Sequence, residues 1–219
     1  MNAKFYELPQ AKQDAMLNAA MAVFSRTGYR KASTDEIVSL AGISKGLLFH
    51  YFGSKKELYL HLYAYARDCL LSEIRAEYDR SETDFFAMLA NVQRCKMNVM
   101  RRHPHLLEFL SRAYIEKDED VAQQTQADFK ADEDISRGII LARADAAKFK
   151  PGVSLERVLD MVIWMAEGLL HFQAEDEPTD LAALNATEAR EVLIPSGGMS
   201  VREGEWTAVF FILLLFFNR

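Results

Sequence analysis

The side chains best placed for chemistry fall in three short stretches, Ser33-Thr34-Asp35-Glu36, Ser44-Lys45-Gly46-Leu47 and Ser54-Lys55-Lys56-Glu57. Ser33 and Ser54 each precede a glutamate by three residues, the reciprocal pattern of a capping box that opens a helix. Ser44 opens another helix only two residues after Gly42. The chemistry on offer at that helix start is anion binding: free amides and the positive end of the helix dipole favour phosphate. Lys45 adds a cation there, and Gly46, with no side chain, permits close approach of a ligand. Bond-making chemistry has no comparable support, because the chain carries no glycine-rich phosphate loop, no G-x-S-x-G, no H-E-x-x-H and no paired carboxylates that stand out. His103-Pro104-His105 invites a metal reading, but Pro104 suits a first helical turn, His103 suits its cap, and no Cys, Asp or Glu lies at ligand spacing. Cys69 and Cys95 are too few and too far apart for a zinc site or a disulfide framework. Neither an enzyme, a metal nor a cofactor is therefore expected.

The elements that must position these residues are helices. Met16, Ala19, Ala20, Val23 and Phe24 recur at the spacing of one buried face, predicting a helix from Pro9 to Thr27 that Gly28 stops. A second short helix follows Ser33, with Ile37, Val38 and Ala41 inward and Gly42 at its end. A third runs from Lys45 to about Tyr51, so Ala41-Gly42-Ile43-Ser44 is the tight turn of a helix-turn-helix unit. After Gly53 a longer fourth helix places Leu58, Leu62, Tyr65, Ala66, Cys69 and Leu70 on one face. Further helices are expected at 83–101, 104–115, 119–148, 154–174 and 180–194, with no period-two strand signal.

Charge separates the two ends of the chain. Residues 1–60 hold eight Lys/Arg against five Asp/Glu, whereas the rest holds eighteen against twenty-seven, so the overall charge of −6 hides a basic head on an acidic body. A basic segment is the electrostatic footprint of a phosphate-binding surface. The first ten residues contain no apolar stretch of the kind that marks export, so a cytoplasmic location is expected.

The run from Gly42 to Leu58, with Ala20-Val23-Phe24, Gly28-Tyr29 and Ser33 to Ile37 ahead of it in order and spacing, resembles the DNA-binding signature of the TetR family over about residues 12–62. The resemblance implies an all-α fold: a three-helix helix-turn-helix head (1–55), a helical ligand-binding and dimerisation body (56–195) and, here, an atypical apolar tail (196–219), acting as a homodimer. It also implies that the third helix enters the major groove. Leu47 matches a position that could touch a thymine methyl, while Tyr51 and Lys55 match positions that hold the DNA backbone. Ser33 and Thr34 at the second helix start would clamp another phosphate. Phe49 stands where relatives often carry tyrosine, so the phosphate bond of that tyrosine is expected to be missing. Ser33, Thr34, Ser44, Lys45, Gly46, Leu47, Phe49, His50, Tyr51 and Lys55 form the candidate DNA-contacting set. Taken singly, the lysines read as solvated charges, His50 as a surface histidine and Tyr51 as a packing residue.

By the same resemblance the chain is expected to regulate transcription, most simply as a repressor that leaves double-stranded operator DNA when a small effector fills a cavity in the body. Pocket candidates are Phe86, Met97, Phe109, Tyr114, Met161, Trp164, Met165 and Phe172, with plain core as the alternative for each. Glu167, the lone charge between Met161 and Leu170, could meet a cationic ligand or solvent. The 154–174 helix is apolar nearly all round from Met161, so it needs cover from a subunit interface or from a central place in one subunit's core. Ala208 to Phe217 is an unbroken apolar run, too short for the ~20 helical residues of a bilayer span. It could be an aberrant ending, an extra dimer element or a membrane-touching segment, and an adaptor using this tail is the alternative to the regulator.

Overall fold

The computed structural model describes residues 3–149 and 151–174, with side chains through residue 165. The described chain is helical, with no strand among the described residues. A 3-10 turn at Ala3–Phe5 precedes α1 (Gln10–Lys31), α2 (Thr34–Ala41), α3 (Lys45–Phe52), α4 (Lys55–Glu77), α5 (Phe85–Arg102), α6 (Leu106–Tyr114) and α7 (Glu119–Arg143). A second 3-10 turn (Ala146–Lys148) leads into α8 (Leu155–Ala174). The expected helix at 180–194 and the apolar tail lie outside the described residues.

Helix starts follow the serines. Ser33 Oγ accepts from the Glu36 amide, Ser44 Oγ from the Leu47 amide at 3.2 Å and Ser54 Oγ from the Glu57 amide at 3.1 Å. The expected return bond from Glu36 is replaced by an ion pair, since its carboxylate turns to Arg26 on α1. Gly42 takes the left-handed conformation (φ 65°, ψ 33°), and the Ile43 amide donates to the Val38 carbonyl, closing the turn between α2 and α3.

Three expected boundaries shift. Gly28 breaks the helical path of α1 (φ 71°, ψ 174°) as its type suggests, but the chain resumes a last turn to Lys31. The helix expected from residue 104 begins at Leu106, with His105 rather than His103 before it; the His103 carbonyl receives the Leu106 amide and the His105 imidazole faces Glu108 at 3.5 Å. The helix expected to reach 148 stops at Arg143, because the Asp145 amide donates to the Thr83 carbonyl at 2.8 Å and the Asp145 carboxylate caps the following 3-10 turn.

The chain divides into two compact units, which differ from a cut at residue 55. One comprises Met1–Ala76 with Lys96–Ala131, so α1–α3 share a unit with α6; the other comprises Glu77–Cys95 and the chain from Asp132. The first unit is built on Met16, Ala20, Val23 and Phe24 of α1, Ile37 of α2, Leu48 and Phe52 of α3, Leu58 and Leu62 of α4, and Leu106 and Phe109 of α6. Fully burying a side chain of this kind contributes roughly 1.5–3 kcal/mol, so this shared core holds the short α2 and α3, which would not persist alone. The second unit packs Phe85 and Phe86 against Leu159 and Val162 of α8, joined by Phe149. The Arg137 guanidinium pairs with Asp160 and with Glu156, tying α7 to α8.

Candidate nucleic-acid interface

The surface of interest is the outer side of α3. Ser44, Lys45, Gly46 and Leu47 are all exposed at its start, while Leu48 and Phe52 are buried one turn apart beneath them. An eight-residue helix can bury only one stripe, and the other stripe is thereby presented to solvent. Leu47 is 36% exposed and stands beside Gly46, where a Cβ would meet nothing within 4 Å.

Lys45 pairs with Asp35 of α2 at 2.9 Å, and both side chains are well exposed. An exposed pair of this kind is worth about 0–1 kcal/mol, so a phosphate arriving at α3 can take the lysine at little cost. Ser33 is exposed and Thr34 half-buried at the start of α2, Phe49 is half-buried, and His50 is exposed with its ring 5.2 Å from that of Tyr51. Tyr51 is only 8% exposed: its ring packs edge-on to Phe5 at 5.9 Å.

Lys55 is placed differently from the α3 residues. Its ammonium donates to the Arg30 carbonyl at 3.1 Å and lies 5.1 Å over the Tyr29 ring, which joins the start of α4 to the end of α1. Burial pushes its pKa down while Asp118 and Glu116 pull it back up. It borders an open cleft of about 710 Å³ whose far wall is the acidic run Asp118 to Asp120.

That neighbourhood also contains a junction absent from the sequence expectations. The Gly28 break releases the Tyr29 amide from the helical ladder, and Glu116 Oε2 accepts it at 2.8 Å across 87 residues of chain. Tyr29, Tyr59, Phe24 and Phe109 cluster around this point with centroids 5.0–6.5 Å apart, the Tyr59 ring edge-on to the other three and the Phe24 and Tyr29 rings near parallel. A polar break in a helix, an acidic residue and an aromatic cluster far apart in sequence give no local signal that would link them.

The pocket candidates are divided between the two units. Phe109 is packed inside the aromatic cluster, Tyr114 lies against Phe129 at 5.2 Å and Met97 is half-buried. Phe86 is core in the other unit and Met165 packs at its margin. Met161 and Trp164, expected inside, stand outward on α8 at 46% and 65% exposure and so line no interior cavity, because Leu159 and Val162 occupy the inward stripe. The side chains of Glu167 and Phe172 lie outside the described residues. Sequence reasoning missed Phe5 altogether; its only trace was an aromatic and Leu8 set just ahead of the helix-starting Pro9.

Comparison with known proteins bears on this geometry. Residues 16–62 match the model of the bacterial regulatory proteins of the tetR family. The chain is 35% identical over 97 residues to the HTH-type transcriptional regulator RutR of Escherichia coli, covering 43% of each chain. It is 32% identical over 123 residues to the transcriptional repressor KstR of Mycobacterium tuberculosis, covering 54% of this chain and 53% of that one. The aligned region thus spans about half the length of these relatives or less. Among solved structures, a TetR family transcriptional regulator of Chloroflexus aurantiacus superposes with a TM-score of 0.58 at 20% identity, over 98% of this chain and 95% of that one. The regulator FadR of Bacillus subtilis in complex with stearoyl-CoA does so with a TM-score of 0.57 at 15% identity, over 91% and 96%. At these identities the two structures speak for the fold. The matched residues are those that build α1 to α3 and set the exposed face of α3 on its core, and over this segment the chain is similar to the bacterial regulatory proteins of the tetR family.

Proposed function

We propose that the chain is a cytoplasmic DNA-binding transcriptional regulator that occupies an operator as a homodimer and releases it when a small-molecule effector binds the helical body. The observation that carries this reading is α3: a capped helix held from beneath by Leu48 and Phe52, with Ser44, Lys45, Gly46 and Leu47 turned outward. Lys45 and the free amides at the α3 start meet phosphate or a base edge, Leu47 meets a thymine methyl, and Ser33 and Thr34 at the α2 start take another phosphate. Tyr51, Lys55 and His50 flank that face and position rather than specify. Phe49 supplies no hydrogen bond.

Dimerisation is supported by the outward apolar residues of the second unit, Ile135 and Ile139 on α7 and Met161 and Trp164 on α8, which a second copy would cover. Two heads so joined read half-sites about 34–36 Å apart, and an effector that favours a differently spaced pair of heads releases the DNA. Repression is the mode of the KstR relative, and the FadR regulator of similar fold is a complex with stearoyl-CoA. No helix among the described residues is long and apolar enough to cross a membrane.

The test is binding of the purified chain to duplex fragments from upstream of its own reading frame at two salt concentrations. One fragment should be retained with steep salt dependence, and Lys45→Ala combined with Tyr51→Ala should weaken it by at least tenfold. Failure of the wild-type chain to select any duplex would end the regulator reading.

A further inference from the structure

Phe5 lies ahead of the family-matched residues 16–62, and nothing in that match assigns it a role. Its side chain is nevertheless 0% exposed. The ring sits 4.9 Å from Phe52, 5.9 Å edge-on from Tyr51 and 6.0 Å from His61, so it wedges between the end of α3 and α4. The arm that carries it is fixed rather than trailing. Gln13, itself buried in α1, donates from Nε2 to the carbonyls of Leu8 at 2.8 Å and Tyr6 at 3.3 Å, and the Leu8 amide donates to the Phe5 carbonyl at 3.2 Å. Cutting those bonds would leave a buried amide without partners, which is costly, so the arm and α1 are one construction.

The geometry points to Phe5 as a positioning residue for DNA recognition: its ring backs that of Tyr51 and holds the phenol at the edge of the α3 face where it can reach the DNA backbone. This rests on the DNA-reading function proposed above. Tyr51 lies in the last turn of an eight-residue helix, and the Phe5 ring packs edge-on against it from outside that helix. A tyrosine that must be ordered on arrival at DNA spends binding energy on its own rotamer, whereas one already pinned does not. Releasing it should weaken binding by roughly threefold to tenfold.

The experiment is a double-mutant cycle between Phe5→Leu, which keeps apolar volume and removes the ring, and Tyr51→Phe, which removes only the hydroxyl. The probe is the duplex that the wild-type chain enriches most from a random-sequence pool, and each variant's melting temperature is recorded alongside its Kd. Phe5→Leu is expected to weaken binding by roughly threefold to tenfold when Tyr51 is present, and by less than about twofold when the hydroxyl is already gone. Equal losses in both backgrounds would show a general structural effect and overturn the proposal, as would no loss at all. Should Phe5→Leu melt below the assay temperature, Phe5→Met takes its place in the same cycle. If the wild-type chain enriches no duplex, the DNA-reading function itself falls and this inference with it, an outcome distinct from an additive cycle.

Discussion

Individual side chains on the first unit are held in states that their sequence neighbours do not suggest. His61 is the clearest case, since its ring lies among those of Phe5, Tyr6 and Phe52 and its Nε2 is buried with no hydrogen-bond partner. Burial pushes its pKa below the ordinary 6.5, because the charged form would lose its hydration. The folded chain therefore favours the neutral ring. Stability from this site is complete above the unfolded value and drains away as pH falls below about 6.5 toward the lowered folded value. Replacing His61 with Phe should flatten the fall in melting temperature between pH 7 and pH 5. An unchanged slope would mean that His61 does not sense pH. Lys45 illustrates the opposite regime: exposed and paired with exposed Asp35, it is free to exchange partners and contributes little to folding.

At the scale of elements, α1 is two helical pieces joined by a residue that only glycine can be. Gly28 combines φ 71° with ψ 174°, a region essentially closed to side chains, and a Cβ there would stand 3.1 Å from the Arg112 guanidinium and 3.2 Å from Glu116 Oε2. The break has a use, because it frees the Tyr29 amide for Glu116, just beyond the end of α6. Gly28→Ala should cost about 1–3 kcal/mol and lower the melting temperature by roughly 3–10 °C. A thermal scan that shows no shift would mean that the backbone here can relax into a regular helix. The same logic explains why the last turn of α1 was not expected from sequence. A glycine stops a helix locally, yet the chain beyond it is recaptured by Lys55, which bonds the Arg30 carbonyl, and by Glu116.

On the scale of the whole molecule, the second unit leaves apolar side chains on the outward side of α8. Trp164 is 65% exposed and Met161 46%, one turn apart on α8. If the chain forms the proposed homodimer through these side chains, Trp164→Glu should convert it to a monomer in analytical ultracentrifugation and reduce affinity for a two-half-site duplex far more than for a single half-site. A wild-type chain that sediments as a monomer, or a variant that remains dimeric, would send the search for the interface elsewhere.

The sequence by itself determined the local architecture. The serine caps, the glycine at Gly42 and the 3.6-residue apolar rhythm of α1 placed the turn and the exposed α3 face, because capping and amphipathicity act within a few residues. It also distinguished the basic head from the acidic body. Only the tertiary structure decided that Phe5 backs Tyr51, that Glu116 catches the Tyr29 amide, that Lys55 bonds α1 and that Trp164 faces outward. Periodicity says which face of a helix is apolar but not what covers it. A hydrogen bond across 87 residues, or an aspartate that ends α7 by meeting the Thr83 carbonyl, depends on chain segments brought together only by folding.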